Sequence, residues 1–181
     1  HDPDKYRPIA ISSCLGKLFS TILLNRLIGF RNGFCPDGPN QLGFCQGAQT
    51  NDHVFTLKTI IDKYNKHGQR GKKRVYSCFV DFKKAFDTVC RSALLFKLVQ
   101  LKIKGPFFDV LEYMYNNSHA KIKINGKLSE AFDILTGTEQ GHPMSPELFK
   151  IFLLDLSENL DEFENCPQLY DMIITHLLWA N

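Results

Sequence analysis

Asp81 closes an apolar run, Phe79-Val80-Asp81-Phe82, and is followed by Lys83-Lys84-Ala85-Phe86-Asp87. A carboxylate fixed at the end of a strand suits a hard cation such as magnesium, which takes one or two carboxylates together with substrate phosphates. The same aspartate could instead cap a following helix. A second candidate is Gln140-Gly141-His142-Pro143-Met144-Ser145-Pro146. Here Gly141 allows close approach of backbone to a ligand, and Ser145-Pro146 reads as an N-cap and first helical residue. A helix N-terminus offers unpaired N–H groups to phosphate. A plain loop-to-helix junction would carry the same local signals, and His142 reads equally as a loop histidine or a general acid–base group.

The elements that must position these residues follow from periodicity. A helix is expected from about Ser13 to Phe30, with Leu15, Leu18, Phe19, Ile22, Leu23 and Leu27 on one face. Residues 31–50 read as a loop. A second helix spans about Asn51 to His67, where Val54, Leu57, Ile60, Ile61 and Tyr64 share a face. Val75 to Asp81, nearly all apolar, predicts a strand central in a sheet. Ser92 could cap a helix ending before Gly105-Pro106, and another helix runs from about Pro106 to Asn116. Lys121-Ile122-Lys123-Ile124-Asn125-Gly126-Lys127 alternates and breaks at Asn-Gly, a strong hairpin signal. A helix from about Ser145 to Leu160 and a strand from Asp171 to Trp179 complete an α+β reading.

The 181 residues are 44% hydrophobic and 23% charged, which rules out low complexity and collagen. No apolar stretch is long enough to span a membrane, and no leader precedes the first motif, so an intracellular protein (nucleus or cytoplasm) is expected. Charge is uneven: residues 1–150 carry a net +9 and residues 151–181 a net −6. The densest basic stretch runs from Lys58 to Arg74. Such a half can attract phosphate backbones, although a solvated helix face and basic loop have the same composition. The six cysteines form neither a C-x-x-C pair nor a zinc-finger cluster and read as buried, reduced thiols.

Taken together, Asp2 to Ile11, Gln41-Leu42-Gly43-Phe44, Phe79 to Asp87, the Asn125-Gly126 hairpin and Gln140 to Pro146 resemble one family in order and spacing. The chain resembles the reverse transcriptase domain of non-LTR (LINE-type) retrotransposons from Tyr6-Arg7-Pro8-Ile9 to Leu177-Leu178-Trp179-Ala180. The resemblance implies a right-hand polymerase, with fingers over about 1–74 and a truncated palm over 75–181. Its antiparallel palm sheet would have flanking helices, and these residues would stop before any thumb. RNA-directed DNA polymerisation would use two Mg2+ ions, an RNA template, a DNA primer and deoxynucleoside triphosphates. It gives Asp81 the catalytic, metal-binding role, with the Phe82 carbonyl helping one ion. Phe86 would be the gate that excludes a 2′-hydroxyl; Gln140 and Gly141 would contact nucleotide and template. Lys5 and Arg7 would hold template and triphosphate.

Three residues depart from the family pattern. Trp179-Ala180 fit the start of the catalytic hairpin, but Asn181 stands where its first aspartate belongs. A neutral amide there removes one charge from a site for two dications, so this copy is expected to be inactive, or a remnant that binds RNA or DNA weakly. Cys45 occupies a usual arginine position and His142 a frequent cysteine position. His1 at the start and Asn181 at the end read as a fragment cut at both ends. The strand before Asn181 is expected to pair beside Asp81, bringing the two together and leaving an aggregation-prone edge.

Overall fold

The computed structural model describes residues 9–34, 36–38, 40–66 and 74–179, without the side chains of residues 65 and 66. The chain divides into two compact units. One comprises His1–Ile28 with Lys83–Phe152, the other Gly29–Phe82 with Leu153–Asn181.

Helix α1, Cys14–Phe34, begins where Ser13 Oγ accepts the Gly16 N–H at 3.0 Å. Its buried stripe is narrower than the apolar pattern implies. Ser20, Leu23, Leu27 and Arg31 are buried, whereas Leu15, Leu18, Phe19 and Ile22 are exposed. Spacings of three and four residues fix that stripe, so apolar residues beside it stay outside.

In the first unit, α3 (Arg91–Gln100), α4 (Pro106–Asn116) and α5 (Ser145–Phe152) form the core. Leu94 and Leu98 of α3, Leu111 of α4, and Leu148 and Ile151 of α5 are buried, with α3 packed on both neighbours. Cys90, not Ser92, is the N-cap of α3. Pro106 starts α4 as expected of its fixed φ. Between α4 and α5 lie two short antiparallel ladders. β1 (His119–Ala120) pairs with β4 (Phe132–Asp133), and β2 (Lys123–Ile124) pairs with β3 (Lys127–Leu128). Asn125 and Gly126 turn the hairpin at φ 48° and 80°, both positive as a type I′ turn demands.

In the second unit, α2 (Thr50–Lys66) buries His53 and Ile60 while Val54 and Ile61 are exposed. The expected helix from Ser145 to Leu160 is two helices, α5 and α6 (Leu154–Asp161), parted at Leu153. The expected strand over Asp171–Trp179 shrinks to β6 (Met172–Ile173), which pairs with β5 (Gln168–Leu169). Lys63 Nζ donates to the Gln168 carbonyl at 2.7 Å, and the Gln168 N–H donates to Tyr64 OH at 3.0 Å. His176 ties the following segment to α6, its Nε2 lying 2.8 Å from Ser157 Oγ and its Nδ1 3.4 Å from Asp161.

The central strand expected over Val75–Asp81 is absent. Residues 74–82 form no ladder among the described residues, and Tyr76, Phe79 and Val80 are 84%, 83% and 73% exposed. An apolar run becomes a strand only when another strand satisfies its N–H and C=O groups. The stretch near Trp179 makes its backbone contacts elsewhere: Leu178 N–H donates to the Asn40 carbonyl at 2.9 Å, and its carbonyl accepts from Leu42 and Gly43 at 3.3 and 3.4 Å. The five described cysteines are free, but Cys14, Cys78 and Cys90 are exposed, and Cys45 and Cys166 half-buried. Among the described residues no sheet covers the segment of Cys78, which is exposed.

Three histidines set a pH dependence. Burial holds His53, His142 and His176 below the ordinary value of 6.5, against the opposing pull of Asp52, Glu139 and Asp161 respectively. The unfolded chain therefore binds more protons once pH falls through 6.5, and stability present at neutral pH is lost on acidification. The unfolding midpoint should drop on acidification through that value, whereas a flat profile would show that these rings are not desolvated.

Candidate functional site

The first unit brings the turn after Asp81 against the Gln140 loop. Residues 83–88 form a tight turn in which the Asp87 and Thr88 N–H groups donate to the Lys84 carbonyl at 2.9 and 3.1 Å. The loop docks on it through backbone: Thr138 N–H donates to the Phe86 carbonyl and Gly137 N–H to the Val89 carbonyl, both at 2.8 Å. Gln140 Nε2 then reaches the Asp87 carboxylate at 3.2 and 3.4 Å, which fixes the amide's orientation. The Phe86 ring rests on Phe149 of α5, centroids 4.8 Å apart. The other side of the loop is held by the Ala10 N–H, which donates to the Gln140 carbonyl at 2.9 Å. Gly141 has φ 93°, and a Cβ there would stand 3.2 Å from the Ala10 carbonyl oxygen.

His142 is a structural group in this arrangement. Its Nδ1 accepts from the Met144 N–H at 3.4 Å and its Nε2 lies 2.9 Å from Ser20 Oγ. Burial keeps the ring neutral, so the proton sits on Nε2 and is donated to the serine. Ser145 Oγ donates to the Glu139 carbonyl at 2.6 Å, a bond that ties the helix start back to the loop. A small cavity of about 40 Å³ opens beside His142, lined also by Tyr115, Glu139 and Met144. Burial pushes the Tyr115 phenol upward, so it stays protonated at neutral pH.

Arg91, at the start of α3, has no signature in the sequence yet organises the junction. It is 7% exposed and donates to the carbonyls of Gly137, Tyr115 and Ile134, with its guanidinium 5.1 Å from the Tyr115 ring centroid. One side chain thus joins the loop, the end of α4 and the end of the outer ladder. Asp87 and Gly137 are equally silent in sequence, because their roles depend on a tertiary approach.

Phe86, Gln140 and Gly141 are therefore brought together. Asp81 and Phe82 belong to the second unit, where the Asp81 carboxylate is exposed and makes no hydrogen bond or ion pair among the described residues. It neither ends a strand nor caps a helix. Lys5, Arg7 and Asn181 lie outside the described residues. Cys45 has its Sγ 3.3 Å from Asp37, whose carboxylate is also gripped by Arg31 at 2.7 and 2.8 Å. Among the described residues no three Asp, Glu, His or Cys side chains converge on a metal site. Asp81 offers one carboxylate, and the described donor set alone does not amount to a two-ion centre.

The helices and small antiparallel ladders make an α+β chain. Residues 1–176 fit the family described as "Reverse transcriptase (RNA-dependent DNA polymerase)", and the chain belongs to it. Within the class its relatives are polymerases of non-LTR retrotransposons. It is 30% identical over 173 residues to the "Probable RNA-directed DNA polymerase from transposon BS" of Drosophila melanogaster, covering 94% of this chain and 17% of that protein. It is 28% identical to the Pol polyprotein of the element R2DM of the same species, over 83% of this chain and 14% of that protein. It is 26% identical to the polymerase of the jockey element of Drosophila funebris, over 86% of this chain and 16% of that protein. The family implies an RNA template and nucleotide substrates, and its polymerases generally use Mg2+. Among the described residues no helix is long and apolar enough to cross a membrane.

Proposed function

We propose that the chain is the fingers and most of the palm of a LINE-type reverse transcriptase, and that it holds a primer–template and the incoming nucleotide without completing nucleotidyl transfer. The observation that carries this is the junction of Phe86 with the Gln140 loop. A ring held by Phe149 and a loop tethered at Phe86, Val89 and Ala10 give a rigid wall beside a polar amide. That wall suits a sugar: the ring clashes with a 2′-hydroxyl, while Gln140 and Gly141 meet the nucleotide and template. Lys5 and Arg7 would contact phosphates. When bound, magnesium would supply positive charge to the primer hydroxyl and to the leaving pyrophosphate. Asp81 and the Phe82 carbonyl would be its ligands, and Asn181 in place of a carboxylate leaves that set one charge short.

A second reading is a non-catalytic remnant that binds RNA or DNA; Asn181 and the absence of a converging carboxylate group among the described residues favour it. Both readings expect an RNA·DNA primer–template to bind with an affinity that falls steeply with salt, as counterion release requires. Fluorescence anisotropy across a salt series checks this. Absent or salt-independent binding would count against both.

A further inference from the structure

The hairpin β2–β3 has no buried side. Every residue from Lys121 to Glu130 is exposed, including Ile122, Ile124 and Leu128. Antiparallel sheets ordinarily bury one face, and a lone two-stranded hairpin is marginal in water. Its register sets Lys123 opposite Leu128 and Ile124 opposite Lys127, so each face presents an ammonium group beside an aliphatic one. From His119 to Ser129 there is no Asp or Glu, while Lys121, Lys123 and Lys127 contribute three positive charges. At the base, the Asp133 carboxylate is engaged by His119 at 2.7 Å. At the tip, Gly126 has open space around it.

We infer that this hairpin is a contact for the phosphodiester backbone of a nucleic acid, with the lysines on phosphates and the aliphatic side chains against the sugars. The inference rests on the nucleic-acid reading above and names the surface. Charge decides the occupant. An apolar partner would strip water from three ammonium groups without supplying a counter-charge, which is costly. A polyanion supplies the charge and gains from releasing its counterions.

The test uses the whole chain and labelled probes of one sequence, a single-stranded RNA and an RNA·DNA hybrid, titrated across a salt series. Lys121→Gln, Lys123→Gln and Lys127→Gln are combined in one variant. Lys17→Gln, Lys102→Gln and Lys104→Gln, at exposed positions elsewhere in the same unit, make a control of equal charge loss. The hairpin variant should lose at least tenfold in affinity at low salt, and its salt slope should fall by about 2 to 3. The control should change the slope by less than about 1. A loss confined to the hybrid identifies a duplex contact, and one confined to RNA a single-strand contact; either supports the proposal. Wild-type slope in the hairpin variant, or an equal loss in the control, overturns the hairpin contact and leaves the nucleic-acid reading intact. No salt-dependent binding by the wild type overturns both. Matching unfolding midpoints of the variants exclude misfolding as the cause of a loss.

Discussion

Gly137→Ala should destabilise the chain by about 3 kcal/mol and pull the Gln140 loop away from Phe86. The backbone there has φ 82°, and an added Cβ would lie 2.7 Å from the Asp87 carbonyl oxygen and 2.8 Å from both the Asp87 Cα and the Phe86 carbonyl oxygen. All are backbone atoms, which cannot swing aside as a flexible side chain would. Relief requires the loop to retreat, stretching the Gly137 and Thr138 hydrogen bonds and taking Gln140 from Asp87. Gly126→Ala is the matched control, with φ 80° but nothing within reach of its Cβ. Its cost should be only that of left-handed backbone, about 1 kcal/mol. Urea unfolding of both variants separates the contact from the dihedral. Equal losses would mean that the turn and loop do not approach as described.

Arg91→Met should cost about 3 to 5 kcal/mol, because it keeps much of the aliphatic bulk while abandoning the Gly137, Tyr115 and Ile134 carbonyls. Arg91→Lys should recover little. One ammonium on a flexible stem cannot reproduce a planar fork that reaches separate carbonyls and stacks on the Tyr115 ring. Urea midpoints again provide the readout. A lysine variant within about 1 kcal/mol of wild type would show that charge, not geometry, secures the junction.

Local chemistry made some of this legible and tertiary geometry hid the rest. The Asn125-Gly126 hairpin was readable because a two-residue turn with positive φ selects those residues almost alone. Helix α4 was readable because Gly105-Pro106 marks its start. Five ordered motifs carried the family resemblance, and the family match over residues 1–176 bears it out. Val75–Asp81 misled because hydrophobicity records a wish for a partner, not the presence of one. Leu153, which parts α5 from α6, lies in an unbroken helical pattern. Arg91, Asp87 and Gly137 could not be singled out, since each matters only through segments tens of residues away. The Gln140 loop is legible in its own residues, the resemblance gives Gln140 and Phe86 their roles, and the structure adds what holds them.

Primer extension on an RNA template with magnesium tests the central claim most directly. Two proteins are compared, this chain as it stands and a version bearing Asn181→Asp followed by the complete catalytic hairpin of a relative. The chain with Asn181 should extend no primer, and the completed version should incorporate deoxynucleotides in the order the template dictates. Failure of the completed version to incorporate any nucleotide would contradict the polymerase reading. Extension by the unaltered chain would contradict the role given to Asn181.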